Sequence, residues 1–213
     1  RDRSPSRGLG DVYKRQRATQ EEMTNFIETE LTESLKGLPT RTTQFGRFDK
    51  GLAYTILMKY YMHEKNWAKA EECGRELLKA EYGYGLMDRY ADIFTLENEG
   101  NKEIIFACTE ERGTNLQLWH DHALPGNYPT KNASIQKWDG YKVPWPFYRT
   151  FEEGDDRLSV LVGEYVGTDG VLFNEESDIA KHGNLYSGAV PVKYGEDPES
   201  TGDGSQIDLV VYL

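Results

Sequence analysis

Residues 47–106 read RFDKGLAYTILMKYYMHEKNWAKAEECGRELLKAEYGYGLMDRYADIFTLENEGNKEIIF. From about Asp49 to Glu64 the apolar residues Leu52, Ala53, Ile56, Leu57, Tyr60 and Tyr61 recur three and four apart, so they share one broad face of a helix. Lys65-Asn66 interrupts the pattern. A second helix is predicted from about Trp67 to Lys79, with Ala70, Cys73, Gly74, Leu77 and Leu78 turned inward. So short a break makes the two helices antiparallel neighbours, an αα-hairpin.

Tyr54, Leu57, Tyr61, Ala70 and Leu77 stand where a tetratricopeptide repeat has its large, apolar, aromatic, small and apolar residues, and the small Ala70 lets the helices approach closely. Upstream, Thr19 followed by Glu22 has the pattern of a capping box. Met23, Phe26, Ile27, Leu31 and Leu35 continue at helical spacing until Gly37 and Pro39 stop the helix. Downstream, Asp88–Phe94 reads as a short helix and Glu103–Thr109, β-branched and aromatic, as a strand.

Beyond Gly113 the texture is that of loops, with Pro125, Gly126, Pro129, Gly140, Pro144 and Pro146 breaking any periodicity. A helix is expected over Pro146–Glu153, stopped by Gly154. Val160–Val166 and Val171–Phe173 are expected to form a hairpin around Thr168-Asp169-Gly170. Ala189–Tyr194 is a further extended piece, Glu196–Gln206 an acidic loop expected to be mobile, and Ile207–Leu213 an apolar run. At the other end, residues 1–16 (RDRSPSRGLGDVYKRQ) are basic and aperiodic, and the GDVYKRQ ending resembles translated sequencing-adapter sequence. That stretch is read as an artefactual or disordered tail, outside the fold.

The 213-residue chain carries a net charge of -11. An acidic surface of that size argues against nucleic-acid or anionic-lipid partners, which need a basic patch. No apolar run approaches the roughly 20 residues of a membrane-spanning helix. Cys73 and Cys108 lack Cys or His neighbours at metal-binding spacing, and the residues around them imply buried thiols, with a disulfide left open.

The order of short motifs in this chain resembles the SusD/RagB family. The series runs Lys50-Gly51, Trp67-Ala68-Lys69-Ala70, Tyr84-Gly85-Leu86, Tyr90-Ala91-Asp92-Ile93-Phe94, Glu97-Asn98-Glu99 and Glu103-Ile104-Ile105-Phe106. Two later pieces are also similar: Phe151-Glu152-Glu153-Gly154-Asp155-Asp156-Arg157, and Pro191-Val192-Lys193-Tyr194. The resemblance implies a mainly α fold of tetratricopeptide-like hairpins with an irregular, partly β insertion bearing the ligand site. It also implies an interior fragment of a longer protein, truncated at both ends. Residues 17–213 would be a partial SusD-like domain, with a helical repeat region over 17–80 and the insertion over 81–213. By the same resemblance the protein would bind oligosaccharide or polysaccharide at the outer-membrane surface and deliver it to a SusC-like TonB-dependent transporter. A lipid anchor outside this sequence would hold it there. No catalysis and no cofactor are implied.

The residues that would meet a glycan lie in Trp119–Trp145, WHDHALPGNYPTKNASIQKWDGYKVPW. Sugar rings present flat C–H faces, which indole and phenol rings match with large area and little side-chain entropy to lose. Trp119, Trp138, Tyr141 and Trp145 are the candidate stacking platforms, and Asn127, Tyr128 and Asp139 the candidate polar partners. Each Trp could equally plug a small core under a long loop. His120-Asp121-His122, read as a strand, would aim two imidazoles the same way, but no third metal ligand can be named, so surface histidines are expected. Glu152, Glu153, Asp155 and Asp156 are adjacent in sequence, which suits a solvated helix end beside Arg157 better than an acid pair flanking a glycosidic bond.

Overall fold

The structure, a computed structural model, describes residues 17–181 and 183–213. The basic stretch 1–16 lies outside the described residues. The contacts group the chain into two compact units. One takes the described residues up to Arg41 with Asp49–Leu77, and the other takes Thr42–Phe48 with Leu78–Leu213.

The first unit is helical. α1 (Gln20–Ser34) starts at Thr19, whose hydroxyl accepts the Glu22 N–H while the Glu22 carboxylate accepts the Thr19 N–H at 2.8 Å. This reciprocal cap satisfies two of the donors that every helix start leaves open. α2 (Lys50–His63) is capped by Asp49, whose carboxylate accepts the Leu52 N–H at 3.0 Å. Lys65 takes a left-handed φ of 58° to reverse the chain. α3 (Trp67–Leu77) then returns along α2. Leu57, Tyr61, Ala70 and Cys73 form the seam, with Leu31, Leu35, Tyr54 and Met58 packed around it. Gly74 leaves room for the Met58 sulfur, 3.4 Å from where a Cβ would stand. The expected hairpin is present, with one correction: α3 ends at Leu77, and Leu78 is exposed instead of turned inward.

In the second unit short elements surround two apolar clusters. Tyr90–Phe94 is a 3₁₀ turn that drops Ile93 and Phe94 into the core. β1 (Ile104–Cys108) pairs antiparallel with β7 (Leu209–Tyr212), so the apolar run at the end of the sequence completes a two-stranded sheet. α4 (Trp119–Ala123) is a single turn of helix. β2 (Val143–Pro144) leads into the short α5 (Trp145–Tyr148), which ends well before the expected Glu153. β3 (Leu161–Val162) and β2 flank β6 (Gly188–Pro191) in a three-stranded sheet. β4 (Glu164–Val166) and β5 (Leu172–Asn174) make the expected hairpin around Gly170, whose φ is +77°. α6 (Glu175–Lys181) follows.

Gly163 separates β3 from β4, and the two pair with different partners, so Val160–Val166 is not one strand. Cys108 is exposed, against expectation, because it sits at the outward position that ends β1; Cys73 is buried, and both thiols are free. The stretch Glu196–Gln206, expected to be mobile, is held at several points. Asp197 is fully buried, pairs with Arg112 at 3.0 Å and accepts the N–H groups of Glu199 and Gln206. The Asn132 amide donates to the carbonyls of Asp197, Pro198 and Ser200. A loop whose polar groups are so fully used gains no freedom from being acidic.

Candidate functional site

The region Trp119–Trp145 is organised by the one-turn helix α4. A helix this short has almost no internal hydrogen bonds, so its carbonyls must find partners elsewhere. Residues 138–141 supply them. Trp138 N–H donates to the Asp121 carbonyl at 2.6 Å, Asp139 N–H to that of Leu124 at 3.0 Å, and the N–H groups of Gly140 and Tyr141 both to that of His122, at 2.5 and 2.7 Å. Asp139 takes a left-handed φ of 54° to make the turn. On the other side, both Asp121 carboxylate oxygens lie 3.1 Å from the Gly204 N–H, tying α4 to the 196–206 loop.

This backbone clasp sets a row of rings on the surface. Trp119 contacts Tyr141 with centroids 5.4 Å apart, Tyr141 contacts His122 at 5.0 Å, and His122 meets Trp138 edge-on at 4.9 Å. Trp138 and Tyr141 each keep 44% of their surface exposed. Trp119 is half-buried: its indole N–H donates to the Pro191 carbonyl at 2.9 Å and its ring packs edge-on to Tyr194. Trp119 thus anchors the row to the core, and Trp138 and Tyr141 are its open end.

The other candidates are placed differently. Trp145 is only 6% exposed; its indole N–H donates to the Leu185 carbonyl at 2.9 Å, and its ring packs in the cluster with Leu124, Ile135, Leu185 and Val190. The expectation of a stacking platform there is corrected: Trp145 is a core residue, because β6 and the turn before it close over it. Asn127 serves the fold as well. Its amide donates to Asp169 at 3.2 Å, and its carbonyl oxygen accepts from Tyr165 and Asn184 at 2.9 and 2.7 Å. Tyr128 stacks obliquely on Tyr165 and borders a small cavity of about 170 Å³ behind α4. Its burial raises the phenol pKa. Asp139 lies beside the platform, with its carboxylate engaged by the Lys142 ammonium.

The His120-Asp121-His122 reading needs two corrections. The three residues are on a helix, so the imidazoles diverge, and among the described residues no cluster of three metal-ligating side chains occurs. His120 is not at the surface. It is 3% exposed, borders the same small cavity as Tyr128, and neither ring nitrogen makes a hydrogen bond with a described residue. Burial lowers its pKa against the opposing pull of Asp121, Asp197 and Glu196. His122, by contrast, belongs to the exposed row of rings. Its one local signal, a spacing of three from Trp119, counts only once a helix is assigned there.

No protein-family model and no curated protein matches the chain. Several solved structures do. A SusD superfamily protein from Parabacteroides distasonis superposes with a TM-score of 0.66 at 16% identity, over 92% of this chain and 44% of its own. One from Bacteroides fragilis gives 0.65 at 17% identity, over 92% and 46%. Surface glycan-binding protein A from Bacteroides thetaiotaomicron, in complex with laminarihexaose, gives 0.63 at 19% identity, over 90% and 46%. The chain spans less than half the length of these structures. Over most of its own length, then, it has a SusD-like fold.

Proposed function

We propose that this chain is the glycan-contacting part of a SusD/RagB-type protein. It would bind neutral oligosaccharide at the outer-membrane surface and pass it to a SusC-like TonB-dependent transporter, breaking no bond itself. The observation that carries the reading is the exposed pair Trp138 and Tyr141, held on a clasped loop above a packed core. Rigid aromatic faces on an ordered loop stack on sugar C–H faces at little entropic cost. The SusD-like fold supports it, and one structure sharing that fold holds laminarihexaose. The site residues are Trp119, Trp138, Tyr141 and Asp139. Asn127 and Tyr128 act behind them.

Two of the four adjacent acids are engaged within the fold, which supports the non-enzymatic part of the proposal. Asp155 holds the Arg157 guanidinium, which lowers the carboxyl pKa, and Asp156 accepts the Tyr90 N–H. Within the same proposal, α2 and α3 are one tetratricopeptide-like repeat of a helical region over 17–80, and 81–213 is the ligand-bearing insertion of a partial domain. Binding of a panel of soluble neutral oligosaccharides, including laminarihexaose, tests the reading by titration calorimetry. Micromolar to millimolar affinity is expected, and silence of the whole panel overturns it.

One observation favours a second reading, a helical protein-interaction adaptor. Met23, Phe26, Ile56, Met62 and Trp67 of the first unit are all exposed. Protein partners take such apolar surface more readily than sugars do. Capture of a protein through these residues, with no glycan bound, would favour it.

A further inference from the structure

Beyond the Tyr141 hydroxyl and the Trp138 indole N–H, which the exposed rings themselves carry, the proposed glycan site has few free polar groups. Sugar recognition needs hydrogen bonds to hydroxyls as well as stacking faces. Of the polar residues expected to supply them, Asn127 is already used by Asp169, Tyr165 and Asn184, Tyr128 borders the cavity behind α4, and the Asp139 carboxylate is engaged by Lys142. His122 is different. Its ring lies between the two exposed aromatics, 4.9 Å from Trp138 and 5.0 Å from Tyr141. It is half-buried, and among the described residues neither ring nitrogen makes a hydrogen bond. Nor is either among the buried atoms left without a partner, so the ring keeps contact with solvent.

We infer that His122 is a hydrogen-bonding residue of the aromatic row, contacting a sugar hydroxyl while the C–H faces stack on Trp138 and Tyr141. The inference rests on the glycan reading and assigns that site a polar contact. A neutral imidazole carries one donor and one acceptor nitrogen, and a hydroxyl can serve either. The ligand class that follows is a neutral, hydroxyl-bearing ring. A ring of the same shape without hydroxyls would find the stacking faces and lose the polar contact.

The backbone at the same residue makes the contact repeatable. The His122 carbonyl holds the N–H groups of both Gly140 and Tyr141, so the imidazole and the phenol ring are fixed to one point of the chain. Gly140 permits the approach, since a Cβ there would stand 3.2 Å from the His122 carbonyl oxygen.

The test uses the full chain and the tightest binder of an oligosaccharide panel, laminarihexaose included; a sugar whose affinity Trp138→Ala leaves unchanged is bound elsewhere and overturns the assignment. His122→Phe keeps a ring in the row and removes both nitrogens. Its affinity is expected to fall five- to ten-fold with the fold intact. His122→Gln, which restores a donor and an acceptor, should recover part of the loss. In the unaltered protein the ¹⁵N resonances of the His122 ring should shift saturably with the same oligosaccharide and stay unmoved by tetrahydropyran, a reading that does not depend on any variant folding. Unchanged affinity in His122→Phe, or ring resonances that ignore the sugar, would overturn the assignment while leaving the glycan reading intact. If no member of the panel binds, both fall together.

Discussion

His122 and Tyr141 are joined twice: the Tyr141 N–H donates to the His122 carbonyl at 2.7 Å, and their rings lie 5.0 Å apart at an interplanar angle of 31°. A hydrogen bond and a ring contact between the same two residues fix both the distance and the tilt of the exposed phenol. Neighbouring Gly140 therefore has little room for a side chain, since a Cβ there would stand 3.2 Å from the His122 carbonyl oxygen. Gly140→Ala is expected to lower stability by about 1 kcal/mol, because the backbone oxygen it meets is held by two hydrogen bonds and cannot give way. Glycan affinity should fall with it. Chemical denaturation and calorimetric titration of one preparation would check both, and an unchanged affinity would count against the clasp as an organiser of the site.

Trp138 and Trp145 should part company. Trp138→Ala removes an exposed ring and is expected to cost at least ten-fold in glycan affinity, about 1.4 kcal/mol, with stability nearly unchanged. Trp145→Ala opens a cavity and leaves the Leu185 carbonyl with only the longer bond from the Gly188 N–H, at 3.3 Å. That change is expected to cost about 3–5 kcal/mol of folding stability. Urea midpoints of the two variants distinguish them, and equal midpoints would show that burial of Trp145 is misread.

Gly188 sits where β6 meets β2. A Cβ there would lie 2.0 Å from the Val143 carbonyl oxygen, which is a backbone atom and cannot rotate aside. Gly188→Ala is expected to destabilise by about 3 kcal/mol, the upper end for overpacking. A thermal melt checks it. A melt like that of the unaltered chain would mean that β2 does not pair at Gly188.

Asp197 carries the 196–206 loop. It is fully buried, and its carboxylate serves Arg112 and two backbone N–H groups. Asp197→Ala leaves those donors unpaired and is expected to cost about 3 kcal/mol, the low end for breaking a buried ion pair because Arg112 keeps some contact with water. Amide exchange across 196–206 should rise sharply. If it stays slow, the loop is held by other contacts.

His120 predicts a pH effect. Its folded pKa lies below the ordinary histidine value because burial disfavours the cation. The folded state then binds fewer protons than the unfolded one, so this contribution to stability is present above about pH 6.5 and is lost as pH falls below it. Glu99 works the other way. Burial and the nearby Asp208 raise its pKa to about 7, so it favours the folded state on acidification. The two must be separated by difference. Between pH 8 and 5 the unaltered protein should lose stability relative to His120→Phe, as measured by paired thermal melts. A constant difference across that range would mean that His120 does not titrate with folding.

What could be read from the chain directly is what depends on neighbours a few residues away. The Thr19–Glu22 cap, the Asp49 cap and the apolar spacing from Leu52 to Leu77 are all interactions within one or two helical turns, and the α2–α3 hairpin follows from them. The aromatic content of 119–145 likewise marked the region of the row. Which aromatic is open and which enclosed depends on partners far away in sequence. Trp145 is buried by Leu185, Trp119 is held by Pro191, and Asp121 by Gly204. The run at 209–212 became a strand only because β1, a hundred residues earlier, offers it an edge. His122 joined the row for the same reason, since its carbonyl is claimed by a loop that local periodicity cannot bring back to it. Side-chain burial and backbone satisfaction are properties of the packed whole, and short-range patterns carry no record of them.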